Sequence, residues 1–305
     1  MSQQTASVPV PTARELEAAR QHQRPRRFSL EGTLSMALLF VCTIYFLVPY
    51  FWLIVSSTKN AGDLFGTFGF WFAPNFNLFS NLQQLFTYQD GVFPRWLLNS
   101  FLYAGVGALV GTWLSSMAGY ALAKYVFPGR NLLFSLVIGS LLVPVTALAL
   151  PLYLMFSAVG LTNTYWAVLL PSIVSPFGVY LSRIYATTGV PDELLEAARV
   201  DGASEFRTYT IALHLMIPAL VTIFLFQFVQ IWNNFFLPLV MLSDDKLFPI
   251  TVGLETWNVT TAGSAKFLYG LIITGALIST IPLLAGCIAL QRYWRGGLGT
   301  GSVKG

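Results

Sequence analysis

The stretch PDELLEAARVDGASEFRTYTIALHLMIP, from Pro191 to Pro218, decides how the rest of the chain is read. Pro191 suits the first position of a helix, and Asp192 and Glu193 suit the positive end of its dipole. Leu194, Leu195 and Ala198 fall on one small apolar face. Gly202 then allows a break, or a backbone conformation closed to other residues. Ser204 can cap a second helix that runs through Phe206 and Tyr209. The stretch reads as a short helix lying across a surface and bent at a glycine. Small Ala197, Ala198 and Ala203 leave room for a partner, and Glu196, Asp201, Glu205, Arg199 and Arg207 offer it charges.

Outward from this stretch the chain is apolar. A membrane helix needs about 20 mostly apolar residues to cross about 30 Å of hydrocarbon. Six runs qualify, at 34–55, 97–121, 132–156, 164–186, 217–242 and 267–290. They are continuous, with no period-two alternation, so the fold class is all-α integral membrane with six transmembrane helices rather than a barrel. The chain has 305 residues, 55% hydrophobic, 15% aromatic and only 10% charged, against about 25% charged in a soluble domain. That excludes a soluble enzyme and, for most of the length, disorder. Two cysteines, Cys42 and Cys287, both in apolar runs, exclude a disulfide scaffold and read as buried reduced thiols. Arg24, Arg26 and Arg27 precede the first run as in a signal peptide. That run is longer than a signal core and lacks a small-x-small exit, so it is read as a retained helix.

Basic residues set the topology. Thirteen of the 17 lysines and arginines fall in the N-terminal tail, the loop after span two, the region after span four and the C-terminal tail; Lys59, Arg95, Lys246 and Lys266 lie on the other side. Both termini are therefore expected in the cytoplasm, and no nucleic-acid partner is needed to explain the positive charge. The organisation expected is a tail at 1–30, a first helix and external segment at 31–93, a core of spans two to six at 94–290, and a tail at 291–305. Thr12 with Glu15, and Ser80 with Gln83, have capping-box spacing. They predict short helices to about Gln23 and through Phe86. Phe65, Phe68, Phe70, Trp71, Phe72 and Phe76 suit a membrane interface.

Catalytic patterns are missing. The sequence has no GxxxxGK[ST] loop, no HExxH and no GxSxG, and His22 and His214 lie far apart in it, so no catalytic or metal site is expected. Gly105, Gly107 and Gly111 faintly suggest a dinucleotide loop but lie inside a span, where Gly107 and Gly111 read as a close helix contact. The spans carry no Asp or Glu beyond their edges. The chain reads as a conduit or scaffold.

The run EAARVDGA resembles the EAA motif of permease subunits of bacterial ABC importers. Glu196, Ala197, Ala198, Asp201, Gly202, Ala203, Ile211, Leu213 and Pro218 stand in its register, and His214 stands where that family usually has proline. That departure is expected to soften the bend before span five. NSFLYAG at Asn99, Leu142 to Val168 and Trp232 to Leu242 are similar to the carbohydrate branch, and Gln291 to Gly305 resembles the ending of the maltose-type second permease. The resemblance implies the type I ABC importer permease fold in a bacterial inner membrane. It implies half of a sugar pathway, a second and non-identical permease, two copies of a cytoplasmic ATPase that bind the EAA loops, and an extracytoplasmic sugar-binding protein. ATP would be bound by the partners, and this chain would bind no cofactor. A permease for a polyol or glycerol phosphate, a membrane-embedded enzyme and a scaffold are the alternatives. Under this reading Gln227, Gln230, Asn233 and Asn234 in span five either bond to neighbouring helices or line the pathway with Trp232 or Phe235 beside them. The loop at 243–266, with Asp244, Asp245, Lys246, Glu255 and Trp257, either meets the binding protein or is simply solvated. Arg292, Arg295 and Lys304 either contact the ATPase or anchor the tail to the bilayer.

Overall fold

The structure is a computed structural model that describes residues 30–261 and 268–298. The expected helix to Gln23, part of the 243–266 loop with Lys266, and the tail with Lys304 lie outside them. The chain divides into two units, Met1–Trp52 and Leu53–Gly305. Helix α1 (Leu30–Ser57), whose last residues Leu53–Ser57 belong to the second unit, carries Pro49 and no charge after Glu31. All described elements are helices.

The second unit continues with α2 (Ala61–Gly66) and α3 (Leu78–Thr87). The expected capping box at Ser80 is not used. The helix starts at Leu78 behind Asn77, and Ser80 accepts instead from Gln84 inside it. A turn with Gln89, Asp90 and Gly91 all at positive φ leads to α4 (Val92–Phe101). A π-helical turn at Leu102–Val106 joins α4 to α5 (Gly107–Lys124). Then follow α6 (Arg130–Ser140), α7 (Ala149–Ala158), α8 (Tyr165–Ile173), α9 (Pro176–Gly189), α10 (Asp192–Val200), α11 (Glu205–Leu215), α12 (Ile217–Trp232), α13 (Phe236–Met241), α14 (Ile250–Thr261) and α15 (Leu268–Leu298).

Four helical stretches are long and apolar enough to cross a membrane: Gly32–Ser57, Leu78–Lys124, Tyr165–Gly189 and Leu268–Gln291. Two bent pairs bring the number to six if each is one span: Arg130–Ser140 with Val145–Ala158, at 99°, and Glu205–Leu215 with Ile217–Trp232, at 77°. Span three is thus not the straight run expected at 132–156. Pro144 supplies no N–H and keeps Val143 out of the helical region, so the chain turns there. The run expected at 217–242 stops at Trp232. Pro238 cannot donate to the Asn234 carbonyl, which accepts from the Thr251 hydroxyl at 2.9 Å instead. Span four is interrupted before Pro176, where the Ser175 hydroxyl accepts from Gly178 N–H.

Three apolar cores are strung along α4 and α5. Phe93 and Trp96 join Leu85, Ile250, Trp257 and Leu271. Tyr103, Ala104 and Ala108 join Val168, Ile231 and Trp232. Tyr120 joins Ala186, Leu195, Tyr209 and Met216. Between the last two cores α5 and α9 approach through small residues. A Cβ on Gly119 would fall 2.7 Å from the Arg183 nitrogen and overlap Ser182, and one on Gly178 would fall 2.6 Å from Ser115 Oγ. Gly107 and Gly111 make the close contact read from sequence, against Ile231 and Gln227. Cys42 and Cys287 are free thiols but exposed rather than buried; an apolar helix face need not turn to protein when hydrocarbon can cover it. Gly119→Val should cost about 1–3 kcal/mol by overpacking and lower the melting temperature of the detergent-solubilised protein. Gly139→Ala, with no atom near its Cβ position, should leave that temperature unchanged.

Candidate functional site

The Pro191–Pro218 stretch folds as a helix, a turn and a helix. Pro191 caps α10 from outside, with ψ at 135°, so Asp192 rather than Pro191 is its first residue. The turn closes α10 with two backbone bonds, Gly202 N–H to Arg199 O at 3.0 Å and Ala203 N–H to Ala198 O at 2.9 Å. This is a Schellman motif, and it requires the left-handed Gly202, whose φ is +80°. Ser204 accepts from Arg207 N–H and starts α11. At the far end Pro218 lies in the first turn of α12. Ring nitrogen Nδ1 of His214 lies 2.7 Å from the Thr210 carbonyl oxygen.

Four ties fix this unit to α5 and its following loop. Leu195 is buried against Tyr120, Ala186, Val190, Tyr209 and Met216. Ser116 and Tyr209 share a buried hydroxyl–hydroxyl bond of 2.6 Å. Lys124 Nζ donates to Val190 O and Asp192 Oδ1, both at 2.6 Å. Tyr125 Oη donates to Glu205 Oε2 at 2.5 Å. Glu205 also accepts twice from Arg199, at 3.0 and 3.2 Å, across the Gly202 turn. Arg199 and Glu205, expected to offer charge to a partner, are therefore spent on each other. Glu193, Glu196 and Asp201 remain exposed and, among the described residues, outside the ion pairs. The expected apolar face also splits. Leu195 turns inward, while Leu194 is 42%, Phe206 69% and Val200 88% exposed. The unit thus leaves Leu194, Val200 and Phe206 exposed among carboxylates and is held from beneath.

Of the span-five amides, Gln227 and Gln230 lie on α12, which ends at Trp232, before Asn233 and Asn234. Gln227 is buried, and its amide donates to Ser172 O at 2.9 Å, in the packing between spans two, four and five. Gln230 and Asn233 are exposed; Asn233 donates to Val229 O of its own helix. Trp232 is buried, stacked on Phe228 and edge-on to Phe101. A groove of about 400 Å³ opens beside the span-three bend, lined by Thr146, Ala149, Leu150, Tyr153, Phe236 and Val240. Among the described residues no group of His, Cys, Asp or Glu is placed to hold a metal ion.

Sequence reading missed the opposite end of α4. There Trp96 and Arg95 donate to the carbonyls of Asp245 and Lys246, Asn99 to those of Lys246 and Phe248, and Tyr103 to that of Leu247. Asn163, at φ +55°, accepts from Ser243 and Asp244 N–H on the same loop. The three-to-four spacing of Trp96, Asn99 and Tyr103 was a visible sign of a polar-tipped face. Nothing local named its partner.

Electrostatics follow the clamp. Glu205 lies below the ordinary carboxylate range because Arg199, then Tyr125, donate to it. Its contribution is present above the ordinary carboxylate pKa of about 4.3 and is lost as pH falls through the lower folded value. Tyr125 is pushed up to about 12 by burial and by its bond to Glu205. It contributes below the ordinary phenol value of 10 and is lost as pH rises through about 12. Glu205→Gln should bring the Tyr125 ionisation partway back toward 10, measured as the 295 nm titration difference between chains with and without Tyr125→Phe.

Known proteins bear on this site. The family model described as binding-protein-dependent transport system inner membrane component matches residues 111–293. An arabinooligosaccharides transport system permease protein of Halalkalibacterium halodurans is 39% identical over 235 residues, covering 77% of this chain and 82% of that one. Its Bacillus subtilis namesake is 32% identical over 275 residues, covering 89% and 96%. A lactose transport system permease protein of Rhizobium radiobacter is 29% identical and covers 91% and 98%. The crystal structure of a bacterial ABC transporter involved in import of the acidic polysaccharide alginate contains a chain that superposes with a TM-score of 0.77 at 20% identity, covering 88% of this chain and 99% of that one; this likeness shows the fold.

Proposed function

The chain belongs to the family of binding-protein-dependent transport system inner membrane components, and from that premise we propose that it is the half of a bacterial sugar or oligosaccharide importer that couples to the ATPase through Glu196, Ala197, Ala198, Asp201, Gly202 and Ala203. It is a multi-pass membrane permease subunit and a transport component without an ATPase of its own. In our reading each bent pair is one span, giving six, and both termini lie in the cytoplasm of a cell with this chain in its inner membrane. A second permease, two copies of a cytoplasmic ATPase and an extracytoplasmic sugar-binding protein complete the importer.

One observation carries the coupling role. The Schellman turn sets α10 against α11 with Leu194, Val200 and Phe206 outward, while Leu195 and Lys124 tie α10, and Ser116 through Tyr209 ties α11, to α5. An apolar patch on a rigidly mounted short helix suits a cleft in the ATPase. Closing of the ATPase dimer would then move α10 and α5 together as a lever, a switch between two rigid packings. The named relatives support the carbohydrate assignment, since they serve arabinooligosaccharides and lactose. Gln230, Asn233 and Asn234 are assigned to the pathway, and Gln227 to packing.

Gly202→Val forces a β-branched residue to φ +80°. It should leave the complex assembled and ATP hydrolysis present while uptake falls at least tenfold, and Gly202→Asn should retain most uptake. Normal uptake by Gly202→Val would remove the lever role. The binding protein recovered with the complex from native membranes should be stabilised against heat by a saccharide. Stabilisation by a polyol or glycerol phosphate alone would overturn the carbohydrate assignment.

A further inference from the structure

The loop from Ser243 to Ile250 is held twice, by the side chains of Leu247, Phe248 and Ile250 in the apolar cores and by hydrogen bonds to its main chain. Every carbonyl from Asp245 to Phe248 accepts from a side chain of α4 or of the π-helical turn that follows it: Asp245 from Trp96 at 2.8 Å, Lys246 from Arg95 at 3.0 Å and Asn99 at 2.9 Å, Leu247 from Tyr103 in the turn at 2.9 Å, and Phe248 from Asn99 at 3.0 Å. Ile250 N–H donates to Ser100 Oγ at 2.8 Å. Asn99 also accepts from Tyr165 at 3.2 Å, so α8 joins the same node. The side chains of Asp245 and Lys246 point outward and are exposed.

The other end of the same helical stretch carries the ties to α10 and α11. One element therefore grips both sites, whose centres at Asn99 and Tyr120 stand about 30 Å apart along it at 1.5 Å per residue. Its buried pairs are Tyr103 and Ala104, Gly107 and Ala108, Gly111 and Thr112, Ser115 and Ser116, Gly119 and Tyr120. They recur every four residues, whereas an α-helix repeats every 3.6. The buried stripe therefore winds around the helix by about 40° per step. A π-helical turn holds one extra residue, and at Leu102–Val106 it takes up part of this mismatch, where the outer grip ends and the inner packing begins. The Cβ position of Gly105 on its outer side has no atom within 4 Å, while Tyr103 and Ala104 on its inner side are buried.

We propose that Asn99 and Tyr103 are positioning residues for transport. Through them the docking state of the Asp244–Ile250 loop passes down span two to α10, with the π-helical turn as the joint. A soluble partner that shifts the loop pulls on its main chain, and α4 moves with it. The joint changes its winding, and α5 turns the Lys124 and Tyr209 ties beneath α10. This inference rests on the permease reading given above.

The test uses the complete importer in proteoliposomes, with its binding protein added. Asn99→Ala, Tyr103→Phe and deletion of Gly105, which removes the extra residue of the turn, are compared with the unaltered chain. Each should assemble and keep basal ATP hydrolysis within twofold, while stimulation by the binding protein and uptake fall about tenfold. Unchanged stimulation in all three would overturn the proposal. So would an equal fall in basal and stimulated hydrolysis, the result a purely structural role produces. If the deleted chain fails to assemble, Asn99→Ala and Tyr103→Phe decide alone. Absence of stimulation in the unaltered importer would instead overturn the permease reading itself.

Discussion

Backbone meets backbone where α5 crosses α9, because Gly119 and Gly178 present no side chain there and Ser115 and Ser182 present small ones. In hydrocarbon no water competes for the peptide groups, and association between helices rests on close contact rather than on expelling apolar surface from water. That contact sets where α9 ends. Ala186 and Val190 then form the floor on which Leu195 of α10 sits. A wider crossing would move the floor, and with it the short helix α10 that rests on it.

The same economy explains why α4 and α5 touch all three apolar cores. A chain with few charged groups and several bent spans has no single large interior. It has instead one long strut whose surroundings change along its length: a polar-tipped grip at one end, glycine contacts in the middle, and tyrosine and lysine ties at the other. Gln227 belongs to this middle zone, where its amide meets carbonyls left over by the interruption before Pro176.

Local chemistry was legible in the sequence. Gly202 and Ser204 announce a turn and a cap because each acts on its own neighbours: Gly202, with no Cβ, takes the left-handed turn, and the Ser204 hydroxyl caps the next helix. The apolar runs were legible as helices but not as shapes. Hydropathy averages over a window and cannot see that Pro144, Pro176 and Pro238 interrupt it, although all three stood in plain view. The Arg199–Glu205 clamp joins residues six apart, a spacing that meets only once the turn between them has formed. The grip of α4 on the Asp245–Phe248 carbonyls joins positions about 150 residues apart. Its acceptors are main-chain atoms, which every residue possesses, so no pattern of side chains could have marked them.

That last property has an evolutionary side. A loop whose contour is dictated by its carbonyls places little demand on the identity of Asp245 and Lys246, whose side chains stand free of the grip. Those two positions can drift, reverse charge or grow without unseating the loop, and descendants of this chain can acquire a new surface there while inheriting the same frame.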